Sequence, residues 1–173
     1  MRVWWCTPLS LLLAVPMLYA QTPPATPCSS EAFRQLDFWV GEWHAEWQQP
    51  DGSVGTGTNR VTKDEFGSCV IYERFSAPGL NGMSVSTFHN ATAQWRQTWV
   101  DDQGGYFALV GGPSDDPAIE FMLEVSRLSD ESPHLRMIWQ DVEPQTFTWR
   151  WQGRASEEDA WQDRWVIRYT RDE

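Results

Sequence analysis

Trp95, Gln97, Trp99 and Asp101 stand at alternate positions of one short segment. Side chains of a strand alternate between its faces with period two, so these four share a face. A pure packing face would not ordinarily combine an amide and a carboxylate with two indoles. A few polar groups among aromatic rings are the usual makeup of a small-molecule site. Glu42, His44 and Glu46 form a second group, also at spacing two, and all three could reach one cation. They stand opposite Trp39, Trp43 and Trp47, however, which makes a solvated outer face the plainer reading. No metal is assigned.

No familiar catalytic string is present: no G-x-S-x-G elbow, no H-E-x-x-H and no G-x-x-x-x-G-K-[ST] phosphate loop. Gly55-Thr56-Gly57-Thr58-Asn59-Arg60 superficially resembles a dinucleotide fingerprint. It lacks the third glycine and the strand–turn–helix setting that brings backbone amides to a pyrophosphate. It reads instead as a strand whose glycines leave room for bulky inner rings.

The elements that must position these groups are strands. Trp39, Trp43 and Trp47 recur every fourth residue with Gly41 and Ala45 between them, and a single strand face holds all five. Similar rows are Leu135, Met137 and Trp139; Phe147, Trp149 and Trp151; and Trp161, Trp165, Ile167 and Tyr169. Turn signals such as Pro50-Asp51-Gly52, Pro78-Gly79, Asn81-Gly82, Asp102-Gln103-Gly104-Gly105 and Glu143-Pro144 separate the segments. Candidate strands fall near 39–48, 54–64, 68–76, 83–89, 94–101, 105–111, 118–127, 134–141, 145–152 and 161–170. Ten short strands without crossover helices imply an all-β, antiparallel up-and-down meander. Closure into a barrel would leave no open edge. Before them, Ser29 to Leu36 suits a short helix capped by Ser29 or Ser30, with Phe33 and Leu36 on its buried side.

The chain opens with Met1-Arg2, an apolar run over Val3 to Leu18, and a small residue, Ala20, before Gln21. That pattern predicts a signal peptide over 1–20, a flexible leader over 21–28 and one barrel domain over 29–173. The run is shorter than the roughly 20 residues a spanning helix needs, so no membrane insertion is expected after cleavage. Cleavage after Ala20 leaves 153 residues, with 24 acidic against 12 basic side chains, a net of −12. Such a charge argues against nucleic acid or an anionic membrane as partner. Cys28 and Cys69 remain, and export to an oxidising compartment, periplasmic or extracellular, lets them pair as one disulfide. The oligomeric state is not legible.

Ordered short motifs run over nearly the whole mature chain. Cys28 precedes Asp37-Phe38-Trp39-Val40-Gly41-Glu42-Trp43, followed by Gly57-Thr58-Asn59 and Gly67-Ser68-Cys69-Val70-Ile71-Tyr72-Glu73. Ser84-Val85-Ser86-Thr87-Phe88 then leads to Trp95-Arg96-Gln97-Thr98-Trp99-Val100-Asp101. In this order the motifs resemble those of a family of small exported bacterial proteins of unknown function, described as lipocalin-like or calycin-like barrels. Ser68, where that family usually has glycine before the cysteine, is a local departure. The resemblance implies a barrel, export and a disulfide. It implies no reaction.

Carried over from those motifs is an inward polar set of Asn59, Glu73, Ser86, Gln97 and Asp101, expected to converge among Trp43, Trp99 and Trp139. Either the set binds a small hydrophobic or aromatic molecule in the barrel, or it is a buried hydrogen-bond network that fixes strand register. Glu73 is the candidate acid or base should the barrel be an enzyme, and an inward arginine, Asn59 or Gln97 its expected partner. Haem is an alternative by analogy with other ten-stranded barrels, through His44, His89 or His134. A barrel packed solid as an envelope module is the remaining reading.

Overall fold

The computed structural model describes residues 27–63, 66–126 and 133–172, together with Met1. Apart from Met1, the expected signal peptide over 1–20 and most of the leader lie outside the described residues. Ten antiparallel strands close into a barrel in simple chain order, the last bonded to the first. They are β1 (Gly41–Gln48), β2 (Val54–Thr62), β3 (Val70–Ala77), β4 (Leu80–His89) and β5 (Gln94–Asp101). β6 (Tyr106–Pro113), β7 (Phe121–Val125), β8 (His134–Glu143), β9 (Thr146–Arg154) and β10 (Gln162–Arg171) complete the wall.

Each expected segment is a strand, and the departures have local causes. Asn81-Gly82 lies inside β4 and is not a turn, because Pro78-Gly79 alone reverses the chain, with Gly79 at φ +84°. Cys69 precedes β3 and does not belong to it. The row from Trp161 to Tyr169 is broken by a bulge between Asp163 and Trp165. One extra residue reverses the alternation. Trp165, Ile167 and Tyr169 therefore share the face of Trp151, Trp149 and Phe147, while Trp161 sits outside between the guanidinium groups of Arg136 and Arg154, at 4.2 and 4.5 Å.

The expected N-terminal helix is two 3-10 turns, Glu31–Arg34 and Asp37–Trp39, and Ser30 caps the first without a side-chain hydrogen bond. Trp39 thus precedes the first strand, yet it is still buried. These turns plug the end of the barrel where β1 begins. Phe33 meets Phe88 edge-on at 5.4 Å, Trp39 meets Trp139 at 5.3 Å, and Trp95 Nε1 donates to Gln35 Oε1 at 3.0 Å. Lys63, the only lysine in the chain, donates to the carbonyl of Phe33 and pairs with Asp37. A disulfide between Cys28 and Cys69 ties the plug to the entry of β3. Inside this half, Trp43, Phe147, Trp139, Phe121 and Trp95 are sealed in T-shaped contacts, each worth about 0.5–1.5 kcal/mol beyond the area it buries.

Candidate functional site

Along β3 the alternation buries Ile71, Glu73 and Phe75, so Glu73 enters the barrel by register. Ser84 of β4 lies directly opposite it, and Asn59 of β2 stands one diagonal away, opposite Phe75. Ser84 Oγ donates to Glu73 Oε2 at 2.6 Å, and Asn59 Nδ2 donates to Oε1 at 2.8 Å. Among the described residues no basic side chain forms an ion pair with this carboxyl. Burial disfavours the charged form and raises the Glu73 pKa from 4.5 to about 7, against the pull of the two hydrogen bonds. Tyr169 of β10 belongs to the same cluster. Its own burial, and then the charge of Glu73, hold its hydroxyl protonated well beyond the ordinary range.

The neighbouring layer holds Ser86 and Gln97, opposite each other on β4 and β5, with Gln97 Nε2 donating to Ser86 Oγ at 2.9 Å. Gln97 Oε1, Asn59 Oδ1 and Trp139 Nε1 are buried without a hydrogen-bond partner. Each is a place where a water or another polar group would be accommodated favourably. Towards the far end, Asp101 accepts from Trp99 Nε1 at 2.9 Å and from the backbone amides of Gln103 and Gly105 at 3.0 and 2.7 Å. Those bonds, that of Trp99 foremost, lower its pKa and keep it anionic. Asp101 therefore both shapes the β5–β6 turn and aims the Trp99 indole.

Opposite the plug the barrel is hollow. A cavity of about 150 Å³ lies among Trp99, Phe107, Trp149, Trp151 and Trp165, with Trp39 reaching it from the plugged end. These five wall rings are only partly buried, whereas Trp39 is 2% exposed. Trp149 and Trp151 stack in parallel, Trp165 stands at right angles to Trp149, and Trp151 leans on Phe107. Glu73, Tyr169 and Asp101 bring polar groups to the lining. Among the described residues no basic side chain does so.

Of the residues singled out in the sequence, Glu73, Trp99 and Asp101 meet around this cavity. Asn59 joins through its hydrogen bond to Glu73. Ser86 and Gln97 form a separate pair, and Trp43 and Trp139 are sealed in the solid half, so none of these four lines the void. Of the expected partners of Glu73, Asn59 bonds it, joined by Ser84, while no arginine and not Gln97 does so among the described residues. Ser84 and Tyr169 were not among the expected site residues. Ser84 shares the face of Ser86 by simple parity, a signal present in the sequence, and Tyr169 closes its row as the barrel closes.

The outward polar groups stay outward. Glu42 lies 3.4 Å from Arg60, and His44 lies 3.4 Å from Glu46 on the solvated face of β1. His89 shares a hydrogen bond with Thr92 outside the barrel, and His134 alternates with the inward Leu135, so no histidine reaches the cavity. Among the described residues no His, Cys, Asp and Glu cluster is arranged to hold a metal ion.

Fold and site together define a closed ten-stranded antiparallel barrel, plugged at one end and hollow and aromatic at the other. No family model matches the chain, and no match is found among curated proteins.

Proposed function

We propose that this chain is an exported barrel that binds a small, partly apolar molecule in its open half. The observation behind this reading is the ring of partly exposed indoles around a void with a buried carboxyl beside it. A barrel built only to be stable gains by closing such a void, since dispersion contacts are lost across any gap. A cavity of about 150 Å³ accommodates a benzene-sized body. The disulfide supports export, and among the described residues no helix is long and apolar enough to cross a membrane. The resemblance to small lipocalin-like exported proteins fits the barrel and rests on the motifs alone.

Native mass spectrometry of protein purified from its own envelope, together with tryptophan-fluorescence titrations using single-ring aromatics, tests the reading. Retained small molecules or saturable quenching are expected. A protein that carries nothing and responds to no probe is a structural module.

An acid–base role competes, because Glu73 has a pKa of about 7 and lines the cavity. A group in that range can both give and take a proton near neutrality. It predicts that a bound molecule is chemically changed by the wild type and unchanged by Glu73→Gln. Recovery of the same ligand from both would leave binding alone.

A further inference from the structure

The signs of the charges around the cavity narrow the ligand class. Glu73 and Asp101 line it, and among the described residues no lysine, arginine or histidine does. Arg164, at the same end, folds over Gly153 and is exposed to solvent without joining the lining. Asn59 Oδ1, buried and without a partner, is an unused acceptor next to the Glu73 carboxyl. Asn59 Oδ1 and the Glu73 carboxyl thus place acceptors together at the inner end of the cavity. The walls are faces and edges of Trp99, Trp149, Trp151, Trp165 and Phe107, whose π-systems attract cations. The chain as a whole carries a formal net charge of −11, a field that draws cations toward the cleft and repels anions.

We infer that the cavity takes a small organic cation, an amine on a ring-sized apolar body, with its ammonium group at the Glu73 carboxyl and its body between the tryptophans. This rests on the ligand-binding reading and adds the sign of the charge. An ammonium buried in an apolar cavity is tolerated only when paired and hydrogen-bonded, and Glu73 supplies that pairing while the indoles supply cation–π attraction. A carboxylate or phosphate ligand would meet Glu73 and Asp101 with nothing to neutralise it. The groups facing Glu73 are Asn59 from β2, Ser84 from β4 and Tyr169 from β10, none of them cationic. Among the described residues none supplies a counter-charge to Glu73, and a cationic ligand would.

Three probes with one ring and different heads separate the possibilities: benzylamine, benzyl alcohol and benzoate, titrated against the disulfide-intact protein at low salt. Benzylamine should bind about tenfold or more tighter than benzyl alcohol, and benzoate should not bind measurably. Calorimetry near pH 7 in two buffers of different ionisation enthalpy should show a fraction of a proton released on benzylamine binding, since the ammonium favours the carboxylate form of Glu73. Glu73→Gln should bring the amine-to-alcohol ratio close to one and abolish the proton release. Benzyl alcohol binding as well as or better than benzylamine would overturn the cation inference while the barrel remains a binding protein. If none of the three binds, both readings fall.

Discussion

The Trp99 indole reaches diagonally across the β4–β5 ladder to lie over Gly82, so closely that a Cβ on Gly82 would stand 2.1 Å from the ring. Gly55, directly opposite Trp47 on the β1–β2 ladder, makes room for that ring in the same way, at 2.3 Å. Glycine at these inner positions makes space for a ring at the hollow end of the barrel. Gly82→Ala should therefore displace Trp99 from its bond to Asp101 and cost about 1–3 kcal/mol of stability, the usual effect of overpacking. Urea unfolding gives the magnitude, and a shifted emission spectrum in the native state reports the moved indole. An unchanged spectrum would mean that Trp99 is not held in this place.

Glu73 makes stability depend on pH with a defined sign. Its pKa rises from 4.5 to about 7 on folding, so the folded chain keeps a proton that the unfolded chain has lost across that interval. The contribution is complete below pH 4.5 and is lost as pH climbs through about 7, a change on the order of 3 kcal/mol. Glu73→Gln is neutral throughout and should flatten that part of the profile. At pH 8 the variant should unfold at higher urea concentration than the wild type. A lower midpoint at pH 8 would show that the carboxylate form is the one the fold favours.

Fluorescence separates the two halves of the barrel. Trp99 borders the cavity, whereas Trp43 and Trp139 are 1% and 0% exposed in the solid half. Trp99→Phe should remove much of the emission change produced by a bound aromatic probe, while Trp43→Phe should retain it and instead lower stability. A response carried by Trp43 would relocate the binding site to the plugged end.

The disulfide closes the plug onto β3 across a sequence separation of 41. The chain-entropy account assigns such a loop about 4 kcal/mol. Protein beginning at Gln21 and denatured without reductant should show no free thiol. Replacing both Cys28 and Cys69 by serine should lower the urea midpoint and expose the plug to proteolysis first. Two free thiols in that protein would contradict the bond.

Strand number, strand position and the shared face of Gln97 and Trp99 were legible in the sequence from turn signals and a period of two within one segment, whereas the inward direction of Asn59 and Glu73 came from the motif resemblance. Phe33 and Leu36 could be placed on one buried side of a short helix because they stand three residues apart. The alternation is blind to depth along the barrel axis. Whether an inward tryptophan is sealed, like Trp139, or borders a void, like Trp149, depends on which end the 3-10 turns plug and on how ten strands are staggered. Pairing of Glu73 with Ser84 needed the β3–β4 register, and the cluster with Tyr169 needed closure of the last strand onto the first. Trp161 shows the remaining limit: one bulged residue between Asp163 and Trp165 turned it to the outer face, and a single extra residue leaves no periodic signature to read.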